Sequence, residues 1–184
     1  MVEARRTLDT DRLSPDARVE LARALFFAGH DDEALAELDS LSGLRPQLKR
    51  ALEFRALIYL NKKMWGQAIS TLGVPNEGGA YTQALLARAL AQSGDRAGAT
   101  HILEDLLARQ RVGTADAYSI ANVYVGLGDL VQAFAWFDKA VDDRSMRAHI
   151  MDPTFAQLRT DPRFAKLRRR IGIDAIVGQV DGKR

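Results

Sequence analysis

Cysteine is absent from the 184 residues, which excludes disulfides, thiolate zinc sites, iron–sulfur clusters and a cysteine nucleophile together. Long apolar runs are absent as well, since no stretch approaches the ~18 residues that a membrane-crossing helix requires. Nor does charge of one sign dominate. Lysine and arginine number 26 against 24 acidic residues, a net charge of +2, so no molecule-wide field demands nucleic acid or an anionic membrane as partner. Met1 to Arg6 carry charge but lead into Thr-Leu-Asp-Thr-Asp rather than an apolar stretch, and a secretory signal is not expected. These features predict a soluble, cytoplasmic protein.

Patterns that carry chemistry are equally sparse. His30, His101 and His149 show no helical ligand spacing and no acidic residue placed to complete a metal site. Asp31-Asp32 and Asp142-Asp143 stand out as carboxylate pairs. The first opens a helix, where negative charge suits the positive end of the helix dipole. Gly78-Gly79 follows a helix and lacks the lysine and hydroxyl residue of a phosphate-binding loop, so it reads as a linker. No Gly-x-Ser-x-Gly elbow occurs. Neither an enzyme nor a metal or cofactor site is expected.

What the chain does contain is a period. Ala34, Ala68, Ala99 and Ala133 fall 34, 31 and 34 residues apart, a spacing typical of tandem helix hairpins. The first unit has Ser14-Pro15 as a helix start, then Leu21-Ala22, Leu25, Gly29, Ala34, Leu38 and Leu41, with Pro46 beyond. Ser14 suits an N-cap, and Pro15 suits a first helical position where no N–H is needed. The second gives Ala56, Tyr59, Lys63, Ala68, Leu72 and Pro75, without a glycine at its turn. The third gives Leu86-Ala87, Leu90, Gly94, Ala99, Leu103 and Leu106; the fourth gives Ile120-Ala121, Tyr124, Gly128, Ala133, Phe137 and Ala140. Small residues let helices approach, large ones fill the space between hairpins, and glycine permits the reversing turn.

Two N-cap-plus-proline pairs follow, Asp152-Pro153 and Asp161-Pro162. They predict short helices over Pro153 to Arg159 and Pro162 to Arg170, with Phe155, Leu158, Phe164 and Leu167 as an apolar stripe. Residues after Ile173 carry little pattern and are expected to fray. Met1 to Leu13 reads either as the remnant of an earlier second helix or as a disordered lead.

The pattern resembles the tetratricopeptide repeat family over residues 14–143. The small positions fall on Ala22, Ala34, Ala56, Ala68, Ala87, Ala99, Ala121 and Ala133. The family's first-helix tryptophan is missing throughout, and its late alanine is kept only at Ala140. The stretch from Asp152 to Phe164 resembles the closing segment found after the last repeat of many bacterial members. The resemblance implies an all-α, right-handed superhelical solenoid of four hairpins (14–46, 47–77, 78–110 and 111–143), capping helices over 144–173, and a flexible tail over 174–184.

It also implies that the first helices line a concave groove. Its rows would be Val19, Glu53, Ala84 and Tyr118; then Arg23, Leu57, Arg88 and Asn122; then Phe27, Asn61 and Gln92. Two guanidinium groups among amides and a tyrosine suit a peptide, with Arg23 and Arg88 favouring an acidic one, although solvation or pairing with Glu53 accounts for them equally. Members that clamp a terminal carboxylate carry Lys and Asn where Val19 and Arg23 stand, and Asn at Leu57, so that clamp is lacking. The basic run Arg159, Arg163, Lys166, Arg168, Arg169 and Arg170 reads as a solvated helix face, with no interleaved aromatic residues to stack bases. Nucleic acid is therefore not expected as a partner. Phe26 and Phe27 at the first hairpin leave self-association open. The expected role is a non-catalytic scaffold or adaptor binding a protein or peptide segment. The alternative is an accessory or sensory region of a larger bacterial signalling or transcription-regulatory protein.

Overall fold

A computed structural model describes residues 14–41, 49–73, 79–145 and 148–173. The lead Met1 to Leu13, Pro46, Pro75, Asn76 to Gly78 and the tail 174–184 lie outside the described residues. Every regular element among those described is helical, as the periodicity requires. The chain divides at Gly78 and Gly79 into two compact units.

The first unit holds α1 (Pro15–Phe27), α2 (Asp31–Asp39), α3 (Lys49–Asn61) and α4 (Trp65–Leu72). These form two hairpins, with α1 beside α3 and α2 also packed on α3. The second unit repeats that plan with α5 (Ala80–Ser93), α6 (Arg96–Arg111), α7 (Ala117–Leu127) and α8 (Leu130–Asp142). It then adds two 3-10 turns (Ala148–Met151 and Pro153–Leu158) and α9 (Pro162–Arg170), which packs on α8. The segment expected as a helix from Pro153 is thus wound as a tighter 3-10 turn.

The period has a backbone cause. At each hairpin a residue with positive φ ends the first helix: Gly29 (+84°), Lys63 (+57°), Gly94 (+104°) and Gly128 (+78°). The N–H that follows reaches back five residues to a helix carbonyl: His30 to Leu25 at 2.9 Å, Met64 to Tyr59 at 2.8 Å, Asp95 to Leu90 at 2.9 Å and Asp129 to Tyr124 at 3.0 Å. This is the Schellman closure, which satisfies carbonyls otherwise orphaned at a helix end. Lys63 adopts the same left-handed turn without glycine's freedom, which costs about 1–2 kcal/mol.

Side chains cap several of the helix starts. Ser14 Oγ accepts from the Ala17 N–H at 3.4 Å; Asp95, Asp116 and Asp129 accept from Gly98, Ser119 and Gln132 at 2.8, 2.8 and 3.0 Å. Each such cap contributes about 1 kcal/mol. All eight alanines at the small positions are fully buried. A second close approach belongs to Gly126, where an added Cβ would lie 2.8 Å from Arg88 Cα, so α7 crosses α5 with no room for a side chain. The core of the second unit runs from Tyr118, Phe134 and Phe137 through Ile150, Phe155 and Leu158 to Phe164 and Leu167. The closing segment therefore supplies the apolar cover that the last hairpin needs.

Candidate functional site

The first helices of the second unit, α5 and α7, lie side by side and present Arg88, Tyr118 and Asn122 together. These residues do not face water. Arg88 and Asn122 are each 1 % exposed and Tyr118 is buried. The cover is the chain's own 3-10 turn at Pro153–Leu158, hereafter the strap. Asp152 starts it, accepting from the Thr154 N–H at 2.8 Å, and Pro153 sets the first helical position. The Arg88 guanidinium donates to the Thr154 main-chain oxygen at 2.6 Å, to Thr154 Oγ1 at 2.9 Å and to Asn122 Oδ1 at 3.4 Å. Asn122 is oriented in turn by donating from Nδ2 to the Tyr118 carbonyl at 3.0 Å.

An aromatic pocket completes the site. The Phe155 ring sits 4.7 Å from Arg88 Cζ, edge-on to Phe137 at 5.6 Å and to Tyr118 at 6.4 Å between centroids. Tyr118 stacks on Tyr81 at 5.9 Å. Burial pulls the Arg88 pKa below its ordinary value, opposed by the field of the nearby Asp152 carboxylate. Burial likewise pushes the Tyr118 phenol up, so it stays neutral. The arrangement is a buried cation held by neutral oxygens and one ring face, with a carboxylate close enough to offset part of its desolvation. The Arg88 Nε and the Gln92 Oε1 are buried without a hydrogen-bond partner.

No protein-family model, curated protein or solved structure matches the chain.

In the first unit the corresponding face is more open. Arg23, at the register of Arg88, is exposed and donates from Nε to Glu20 at 2.7 Å, and Glu20 also accepts from Arg50. Burial alone would raise the Glu20 pKa, but these two arginines outweigh it and hold the carboxylate below its usual range. Glu53 pairs with Lys49 at 3.8 Å. Phe27 is 37 % exposed beside the fully buried Phe26. Leu57 is buried, and Asn61 donates to Asp31 Oδ2 at 2.8 Å. Val19 and Glu53 thus stand where the second unit has Ala84 and Tyr118, and Leu57 stands where it has Asn122.

Of the eleven residues expected to line the groove, Val19, Arg23, Phe27, Glu53, Leu57 and Asn61 fall in the first unit. Ala84, Arg88, Gln92, Tyr118 and Asn122 fall in the second, where Arg88, Tyr118 and Asn122 gather at the strap. Thr154 and Phe155 were not foreseen as occupants of this face. Their Asp-Pro start was visible, but nothing local tells where a turn will land. The basic run is partly consumed by structure. Arg163 grips Asp161 at 2.7 Å, donates to the Leu130 carbonyl at 3.3 Å and covers the Phe134 ring at 4.4 Å. Arg170 bridges Asp138 and Asp142, the latter at 2.6 Å, and Arg159 donates to the Met151 carbonyl at 3.2 Å.

Proposed function

We propose that the chain is a non-catalytic protein-interaction module, an array of four tetratricopeptide-like hairpins coiled as a right-handed superhelix, which holds a protein or peptide segment against its first helices. The observation that carries this reading is the Arg88 contact. A face built from two first helices already grips a stretch of polypeptide, taking a main-chain carbonyl and a side-chain hydroxyl at once. Main-chain recognition of this kind suits a segment of extended or turn-like backbone. The matching face of the first unit supplies the same register with Arg23 and Phe27 exposed. That is where a segment from another molecule finds a guanidinium and an apolar ring together, and the charge favours an acidic segment.

Selection of a displayed random peptide library on the full chain tests this, with the double variant Arg23→Glu, Phe27→Ala as counter-target. The expected result is a family of acidic peptides that bind the parent chain and lose at least about tenfold in affinity, roughly 1.4 kcal/mol, on the variant. Both replaced side chains lie at the surface, so helicity should be unchanged. A selection that yields no binders, or binders indifferent to both substitutions, sinks the reading.

A further inference from the structure

The second unit contains the pattern Asp-Pro-x-Phe twice, at Asp152 to Phe155 and at Asp161 to Phe164, and both copies dock by one plan. In each, the aspartate carboxylate accepts the N–H two residues on, at 2.8 Å from Thr154 and 2.9 Å from Arg163. The proline takes the first helical position and the phenylalanine is buried in the same core. The pattern is a compact turn that presents one aromatic anchor at a fixed angle to one polar residue, with little freedom left to lose on docking.

The first copy meets more than an apolar cleft. Arg88 reads its main chain and its third residue, while Phe137 and Tyr118 enclose its ring. The fit is also incomplete. Arg88 Nε keeps no partner, and every oxygen that does accept from the guanidinium is neutral. A carboxylate in place of the Thr154 hydroxyl would make a charge-assisted bond, which is shorter and stronger.

We infer that the face formed by Arg88, Tyr118, Asn122 and Phe137 is a recognition site for the Asp-Pro-x-Phe turn. It is filled in cis by residues 152–155 and admits a protein segment bearing the same turn, best with an acidic third residue, when the cis copy is displaced. This rests on reading the first-helix faces as polypeptide-binding. Tethering gives the strap an effective concentration in the millimolar range, so the intact chain is masked against free ligands and a weakened strap unmasks it.

Fluorescence anisotropy on full-length chains tests the inference, with a labelled peptide copying residues 150–159 and a second carrying aspartate in place of its threonine. The Phe155→Ala chain should bind the copy about tenfold or more tightly than the parent does, because the tethered competitor is weakened. The aspartate peptide should bind more tightly still. Adding Arg88→Lys to Phe155→Ala should lose most of the gain. Circular dichroism checks the fold. Should Phe155→Ala lose helicity, Phe155→Leu nearly keeps the core volume and carries the same expectation. A folded variant that binds no better than the parent overturns the inference, as does equal binding of a peptide whose own phenylalanine is alanine. If this inference alone is wrong, peptides selected through Arg23 and Phe27 still bind while the strap copies do not. If the underlying reading is wrong, neither binds.

Discussion

Lys63 holds a left-handed turn that glycine holds in the other three hairpins. Its neighbours in the turn, the Met64 N–H and the Tyr59 carbonyl, are already at 2.8 Å, so replacing the side chain leaves the closure intact. Lys63→Gly should raise stability by about 0.5–1 kcal/mol, the left-handed strain relieved less the extra freedom glycine has when unfolded. A chemical denaturation midpoint measures it, and a drop would mean that the lysine stem contributes packing there. Arg88 behaves in the opposite way. It was legible as a candidate ligand-binding residue from its place in the period, but its burial was not. Register fixes the direction in which a side chain points, whereas burial depends on what arrives over it.

At the scale of elements, the crossing of α5 and α7 is set by Gly126. An alanine there would press on Arg88 Cα at 2.8 Å and Cβ at 3.2 Å. Gly126→Ala should therefore destabilise by about 1–3 kcal/mol through overpacking, against the ~1 kcal/mol that alanine gains in a free helix. Hydrogen exchange in the strap should quicken with it, because Arg88 moves. The start of α9 has a pH signature. Asp161 is held below its usual range by the side-chain and then the main-chain hydrogen bonds of Arg163. A depressed folded value means that this contribution is complete above the ordinary carboxylate value of 3.8 and is lost as pH falls through the lower folded value. The stability gap between the parent chain and Asp161→Asn should then close in acid, and a gap independent of pH would deny the carboxylate its role. The helices themselves were legible because their signals are local. Ser14-Pro15, Asp161-Pro162 and the turn glycines each act within a few residues. The winding of Pro153–Leu158 as a 3-10 turn was not legible, since helical and 3-10 starts share the same Asp-Pro cap.

At the scale of the whole molecule, the second unit depends on residues placed after its last hairpin. Ending the chain at residue 145 would strip Ile150, Phe155, Leu158, Phe164 and Leu167 from the core they share with Tyr118 and Phe137. The shortened chain should self-associate and bind an apolar dye, detectable by light scattering and fluorescence, since an uncovered terminal repeat needs a polar outer face to remain dispersed. A monomeric, dye-negative product would show that the closing segment is dispensable. The period placed Arg88 and Asn122 in one row, and Asn122 does accept from Arg88 across 34 residues. Thr154 lies 66 residues from Arg88, outside any repeat, so no periodicity could announce it. That separation also has a meaning in time. Synthesis delivers α5 to α8 before the strap, so both hairpins close while residues 152–155 are still to come. During that interval the nascent unit carries a bare guanidinium beside bare aromatic rings, and the ribosome's surroundings, rather than the finished fold, decide what meets them first.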